Sequence, residues 1–316
     1  MSGSVLITGA GGFVGRPLGD LLAAQGWTVA AADLAAPASA PGITPLVLDV
    51  TDAAAARAAL RATAPAVVLH LAAQSHVPTS FRDPLATWRV NTLGTLTLLE
   101  ALRDLDSTAA FVLISTAETY GGSFAAGAPV GEAAPLDPRN PYAASKAAAD
   151  ALVRAAARER RTAVLRSFNH VGPGQREDFV LPAFAAQIAR IEAGLQDPVL
   201  RVGNLEARRD FLDVRDVLEA YALVLDRLEE LPTGAAFNVC SGTTRRIGSL
   251  LDDLLARSEA RITVERDPAR LRPSDIPVAC GDPSALREAV GWTPHVPWDQ
   301  TVDTVLADWR RRTRTI

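Results

Sequence analysis

Tyr142 and Lys146 stand four residues apart in the stretch Asn140-Pro141-Tyr142-Ala143-Ala144-Ser145-Lys146. An asparagine N-cap with proline at the first helical position opens a helix here, and the spacing of four puts both side chains on one face. A phenol titrates near pH ~10, too high for easy proton exchange at neutral pH, but a neighbouring ammonium favours the phenolate and lowers that value. The pair therefore predicts proton transfer, with Tyr142 as acid or base and Lys146 as its tuner. Tyr and Lys also fall at this spacing by chance on alanine-rich helices, so the assignment depends on the rest of the chain. Upstream, Ser115-Thr116-Ala117-Glu118 follows an apolar run at 109–114 that reads as a strand. Hydroxyls at the carboxyl end of a central strand of an open α/β sheet lie beside its ligand crevice, which places Thr116 to hydrogen-bond a substrate oxygen. Glu118 shares the Thr116 side if the chain stays extended, as a base or as a partner for a substrate hydroxyl.

A second constellation precedes this one. Residues 5–8 read as a strand, Gly9-Ala10-Gly11-Gly12-Phe13-Val14-Gly15 as a tight turn, and Leu18, Leu21 and Leu22 as the apolar stripe of a helix. Glycines at 9, 12 and 15 permit the turn, close approach of a pyrophosphate and close packing of helix on strand, while the helix start offers N–H groups to phosphate oxygens. The next strand, 28–32, ends in Asp33, eighteen residues beyond Gly15, near the roughly 20 expected of a ribose-binding acid. Its carboxylate accepts from a 2′-hydroxyl and repels a 2′-phosphate, favouring NAD(H) over NADP(H) unless nearby arginines offset it. Asp49-Val50 closes a strand expected at 46–48 and would set a carboxylate near an adenine amino group, although Asp49 or Asp52 could equally cap the helix that follows. A strand at 66–71 leads into His70-Leu71-Ala72-Ala73-Gln74-Ser75-His76, where the small residues Ala72 and Ala73 leave room for a cofactor to cross the strand end. His76 is a loop histidine with substrate contact as an alternative role.

These groups need a scaffold, and strand and helix alternate from residue 1 to about 168, the pattern of an α/β doubly wound parallel Rossmann sheet. A long helix at 84–105 carries Asn91 inside an otherwise apolar stripe. After Asn169 the periodicity breaks into Pro, Gly and charge clusters around helices expected at 181–193 and 215–228, with a strand at 236–239. The expectation is a dinucleotide-binding domain of 1–168 plus about 205–245, and a smaller discontinuous C-terminal substrate-binding domain of about 169–204 plus 246–316. The net charge of -4, from 32 basic and 36 acidic residues, with no basic run beyond Arg310-Arg311-Arg312, leaves no nucleic-acid footprint. Cys240 and Cys280 lie forty residues apart without a CxxC pair, which argues against zinc or a disulfide and leaves no metal expected. No apolar run reaches membrane-spanning length and no leader-like segment opens the chain, so the expected setting is cytoplasmic.

Gly9, Gly12, Gly15, Asp33, Ser115-Thr116 and the Tyr142/Lys146 pair together resemble the extended short-chain dehydrogenase/reductases, the NAD-dependent epimerase/dehydratase family acting on nucleotide sugars. The likeness covers nearly the whole chain. His70 through Val77, Arg166 through Gln175 and Gly203 through Phe211 are similar to its GDP-mannose branch, and Asn169–Gln175 with Arg270–Pro277 to the branch's GDP-4-dehydro-6-deoxy-D-mannose reductases. The resemblance implies a catalytic triad of Thr116, Tyr142 and Lys146, with Phe13, Val14, Leu71 and Val50 along the dinucleotide. It also implies a nucleotide-sugar substrate held by Asn169, Arg209 and Arg272, with Gln74, Ser75 and Val180 lining the site. Paired guanidinium bonds to phosphate suit those arginines, although Arg209 could instead pair with Asp210 or Glu206. It further implies a homodimer through helices containing 96–102 and 144–153. The triad alone does not separate a C4-keto reductase from a 4,6-dehydratase, whose extra base matches Glu118, or from a 4-epimerase. A catalytically silent dinucleotide sensor is the remote alternative.

Overall fold

The computed structural model describes residues 3–270 and 276–314. The first half runs β1 (Ser4–Thr8), α1 (Gly15–Ala24), β2 (Thr28–Asp33), β3 (Ile43–Val47), α2 (Ala53–Thr63), β4 (Val67–His70), α3 (Val77–Arg82), α4 (Pro84–Trp88), α5 (Gly94–Asp104), β5 (Ala110–Thr116), α6 (Pro141–Ala155) and β6 (Thr162–Ser167). The second runs β7 (Asn169–Val171), α7 (Val180–Glu192), β8 (Val199–Val202), β9 (Arg208–Asp213), α8 (Val214–Asp226), β10 (Ala235–Val239), β11 (Thr244–Arg246), α9 (Ile247–Leu255), β12 (Thr263–Arg266), β13 (Val278–Ala279), α10 (Ser284–Val290) and α11 (Trp298–Thr313). Seven strands form one sheet in the order β3-β2-β1-β4-β5-β6-β10. All its pairings are parallel. The chain winds outward from β1 to β3 and then returns to lay β4 beside β1. A reversal of this kind opens a ligand crevice at the carboxyl ends of the two strands, and Thr8 and His70 are register partners there.

Strands of a parallel sheet are covered on both faces, which is why they read as nearly continuous apolar runs. On one face Leu18 and Leu22 of α1 join Val217 and Tyr221 of α8. On the other, Leu60, Leu98, Leu102 and Val153 come from α2, α5 and α6. Burying each such leucine is worth ~1.5–3 kcal/mol, so these two layers hold the sheet. Helices α7, α9 and α11 build a separate core around Ile188, Leu250 and Val305, into which Phe211 of β9 packs. Strand β9 lies between β11 and β13 and also pairs with β7, making a small second sheet at the crevice mouth.

Several expectations need local correction. The strand expected at 46–48 is β3, which begins earlier and includes Pro45; a proline is tolerated on the edge of a sheet because it need not donate there. The helix expected over 84–105 is interrupted by a π turn at Arg89–Leu93. Such turns hold one residue too many for the α pitch and cluster at functional sites; this one buries Asn91. Beyond Thr116 the chain does not stay extended but coils into 3₁₀ turns over Ala117–Ala126. The Thr119 hydroxyl donates to the Thr116 carbonyl at 2.7 Å and Thr116 Oγ1 accepts from Glu118 N at 3.2 Å, local bonds that compete with a strand. Leu98, Leu99, Leu102, Ala149 and Val153, inside the segments expected to meet a second subunit, are interior. Among the described residues the exposed apolar side chains of that helical run are Phe81, Leu85, Trp88 and Leu93. No helix among the described residues is long and apolar enough to cross a membrane, and Cys240 and Cys280 are free thiols.

Candidate active site

The helix carrying Tyr142 and Lys146 starts as its sequence requires. Asn140 is in extended geometry and its side chain accepts from Ala143 N at 2.7 Å, with Pro141 at the first turn. The Asn140 amide in turn donates to Glu118 Oε2 at 3.0 Å. Glu118 therefore reaches the site through this cap, not through strand alternation with Thr116. Tyr142 is buried, and burial pushes its phenol well above the ordinary tyrosine value; the Thr116 hydroxyl opposes the shift and the Glu118 charge adds to it. Thr116 and Tyr142 thus face each other at the end of β5.

The lowering of the Tyr142 phenol expected from Lys146 is outweighed by burial. Lys146 Nζ donates to the Ile114 carbonyl at 2.6 Å. Burial lowers the ammonium to about 8, against the attraction of Asp150. Asp150 lies one turn further along α6 and is bound by Arg166 through Nε at 2.8 Å and Nη2 at 3.2 Å. Both partners are 1% exposed. Arg166 Nη1 also donates to the Tyr120 hydroxyl at 2.9 Å, which donates to Asn238 Oδ1 at 2.7 Å. A pair this deep is tolerated because every charge finds a partner.

The glycine turn has the close approaches expected of it. A Cβ on Gly9 would come within 2.7 Å of Ala72 N, and one on Gly15 would strike the Gly9 carbonyl. Gly9 also has φ +73, the left-handed region. At Gly12 the space is open apart from the Gly9 carbonyl at 3.1 Å, so a ligand can lie against that face. Val14 precedes the first turn of α1, which has no side-chain cap, and Phe13 stacks on His170 with centroids 6.0 Å apart. Asp33 at the end of β2 accepts from Gly11 N at 2.9 Å and Leu34 N at 2.7 Å, placing its carboxylate at the edge of the turn. Asp49 accepts from Thr51 N at 2.9 Å, while Asp52 caps α2 by accepting from Ala54 N at 2.8 Å. Val50 is buried against Gly94. These open and uncapped groups around the reversal point fit a dinucleotide with its pyrophosphate on the start of α1.

Beside them, Leu71 N and Ala72 N bond Thr8, at 3.1 and 3.3 Å; Ala73 is half-buried and continues the same segment. Gln74 is engaged internally: its Nε2 donates to Thr87 at 2.9 Å and its Oε1 accepts from His76 N at 2.6 Å. Ser75 is exposed, and His76 Nδ1 pairs with the Thr79 hydroxyl at 2.9 Å. On the far wall, Asn169 is exposed at the start of β7 and Val180 half-buried at the start of α7. Arg209 sits on β9 opposite Arg245 of β11, with Nη1 donating to the Arg208 carbonyl at 2.9 Å. The carboxylate of Asp210 accepts from Ser241 and Gly242, and Glu206 pairs with Arg246 at 3.0 Å. Arg272 lies outside the described residues. Thr8, Thr95, Ser145, Asp150 and Arg166 also belong to the site's framework. Sequence reasoning had only one signal toward them, the polar Asn91 in an apolar stripe.

Fold and site together define a nicotinamide-dinucleotide enzyme of nucleotide-sugar metabolism. The family model for GDP-mannose 4,6 dehydratase matches residues 6–305, and the chain belongs to that family. More particularly, it is 37% identical to the GDP-6-deoxy-D-mannose reductase of Pseudomonas aeruginosa, over 99% of each chain. It is 31% identical to the GDP-mannose 4,6-dehydratase of Vibrio cholerae over 78% of this chain and 74% of that one. Among solved structures, RMD from P. aeruginosa complexed with NADPH superposes with a TM-score of 0.86 at 36% identity, covering 98% of this chain and 100% of that one. The UDP-glucose 4-epimerase of Thermus thermophilus, in complex with NAD, gives 0.84 at 29% identity, over 97% and 99%.

Proposed function

We propose that this protein reduces the C4 keto group of a GDP-4-keto-6-deoxy-hexose, forming a GDP-D-rhamnose-type product. The observation that carries the reading is the juxtaposition of Thr116, Tyr142 and Lys146 at the end of β5, beside the reversal point, in a chain matched over its full length by a GDP-6-deoxy-D-mannose reductase. The dinucleotide, when bound, supplies the hydride. Tyr142, its phenol held protonated by burial, donates a proton to the oxygen that becomes an alkoxide at C4, and Thr116 hydrogen-bonds the same oxygen. Lys146 leaves the Ile114 carbonyl or shares with it to hold the ribose beside Tyr142, where its charge favours the phenolate left behind. Asn169, Arg209 and Arg272 take the diphosphate and sugar, with Gln74, Ser75 and Val180 shaping the opening.

Asp33 at the ribose position supports NADH over NADPH, since a 2′-phosphate would meet its carboxylate. The division into a dinucleotide-binding domain of 1–168 with about 205–245, and a substrate domain of about 169–204 with 246–316, goes with this reading, as does a cytoplasmic setting. A homodimer is part of it too, with Phe81 (50% exposed), Leu85 (69%), Trp88 (39%) and Leu93 (53%) as the surface a second copy would cover. A second reading, 4,6-dehydration on a retained dinucleotide, is favoured by Glu118, whose carboxylate lies close enough to act on Tyr142. The deciding experiment mixes enzyme with GDP-4-keto-6-deoxy-mannose and NADH, then NADPH, and follows absorbance at 340 nm. Stoichiometric loss supports the reductase. Conversion of GDP-mannose without added reductant would move the assignment to the dehydratase.

A further inference from the structure

His70 ends β4 directly under the reversal point and is 1% exposed. Both ring nitrogens are engaged: Nδ1 lies 2.6 Å from Thr8 Oγ1 and Nε2 lies 3.1 Å from Thr95 Oγ1. Proton counting fixes which nitrogen carries the hydrogen. Thr95 donates its hydroxyl proton to the Asn91 main-chain carbonyl at 2.7 Å, and a carbonyl can only accept, so Thr95 has no proton left for His70. The Nε2 contact must therefore be N–H to oxygen. Thr8 Oγ1 accepts from Ala72 N at 3.3 Å and is free to give its own proton to a bare Nδ1. Burial first, and the Lys146 ammonium second, push the imidazole down to about 3, so the ring is neutral wherever the enzyme would work.

The chain of bonds does not stop at Thr95. Asn91, turned inward by the π turn, accepts from Gln74 N at 2.8 Å and donates to the Gln74 carbonyl at 3.0 Å and to Ser145 Oγ at 2.9 Å. Ser145 in turn donates to the carbonyl of Tyr142 at 2.8 Å. Two buried runs of directed hydrogen bonds thus meet at Asn91, one from Thr8, the residue before the glycine turn, to the Asn91 main-chain carbonyl, the other from its side-chain amide through Ser145 to the backbone of the catalytic tyrosine. We propose that His70, locked as the neutral Nε2–H tautomer, is a positioning residue that couples the dinucleotide turn to the helix carrying Tyr142 and Lys146. A rigid ring with an acceptor on one side and a donor on the other is what this link requires, and leucine of similar bulk supplies neither. Its effect on turnover rests on the reductase reading; its tautomer and its effect on dinucleotide affinity do not.

Two measurements on the full chain test it. In the unsubstituted protein, ¹⁵N shifts of the His70 ring should show a protonated Nε2 and a bare Nδ1, unchanged between about pH 5 and 8. An Nδ1–H tautomer, or titration in that range, overturns the proposal without any variant having to fold. Then His70→Leu and His70→Gln are compared, Gln being the variant that can still donate to Thr95. The Leu variant is expected to bind NAD(P)H more weakly and to lose about 10- to 100-fold in kcat, the scale of a small misplacement, with the nucleotide-sugar KM little changed and His70→Gln recovering part of kcat. Lowered melting temperature with kcat and dinucleotide affinity intact in both variants would leave His70 merely structural and sink the idea. Should the unsubstituted enzyme reduce no nucleotide sugar, the functional reading fails, while the ring shifts and the dinucleotide affinities still decide the coupling.

Discussion

The two walls of the crevice are built on opposite principles. On the dinucleotide wall, His70, Asn91, Ser145, Lys146, Asp150 and Arg166 are buried, and each is already bonded to another protein group. On the wall proposed to take the sugar, Asn169, Arg208, Arg209, Arg245 and Arg246 are exposed or half-buried on a short-stranded sheet, and Asp210 is the buried exception, bonded to Ser241 and Gly242. The contrast follows from desolvation. A buried polar group is costly unless its partners are fixed in advance, whereas a guanidinium in water keeps its hydration until a phosphate replaces it. On the proposed reading the first wall sets chemistry and geometry, and the second sets which ligand is held.

The sharpest way to break this contrast is Tyr142→Phe, which removes the phenol hydroxyl, with its bond to Thr116, and keeps the ring. It should lower kcat by ~10²–10⁴-fold with dinucleotide affinity kept; full activity in a folded variant would end the assignment. Asp150→Ala comes next, because it leaves the Arg166 charge buried alone. Denaturant titration should show a loss of ~3–5 kcal/mol. By comparison, Glu159→Ala, removing a partner of Arg103 in a pair about half exposed on each side, should cost no more than ~1 kcal/mol. Equal costs would erase the distinction between buried and exposed charge. On the sugar wall, Arg209→Ala should raise the nucleotide-sugar KM by roughly 10-fold or more, the scale of a charged hydrogen bond, and leave kcat nearly unchanged. A fall in kcat with KM constant would move Arg209 to the chemical wall.

Acidity probes the first wall through His70 and Lys146. His70 is depressed from 6.5 to about 3, so the unfolded chain binds the extra proton first. Its contribution is fully present above 6.5 and is lost as pH falls toward 3, which a stability titration of His70→Gln against the parent protein would isolate. Lys146 at about 8 gives the opposite limb, with activity falling as pH rises past that value and the ammonium discharges. A specificity change is expected at Asp33: Asp33→Asn should shift the NADH to NADPH preference by about 10-fold toward NADPH, the worth of one unfavourable charge contact. An unchanged ratio would remove Asp33 from the ribose.

Much of the site was legible because it is local. The i, i+4 spacing of Tyr142 and Lys146, the Asn140 cap, the glycine turn and Asp33 at a strand end are properties of a few consecutive residues, fixed by helix pitch and strand alternation. Parallel winding followed from the rhythm of apolar runs. Where a local rule met a competing local bond, the expectation slipped, as at Glu118, where side-chain bonds of Thr116 and Thr119 turn the chain into a 3₁₀ coil.

What the tertiary structure decided lies farther apart in the chain. Thr8 meets His70 across 62 residues, Asn91 meets Ser145 across 54, and Lys146 finds the Ile114 carbonyl across 32. No spacing rule announces these partners, because they depend on which strands and helices lie side by side and on the π turn that rotates Asn91 inward. Sequence alone determined which groups could move a proton. Burial among distant neighbours decided their charge, their tautomer and the direction in which each is held.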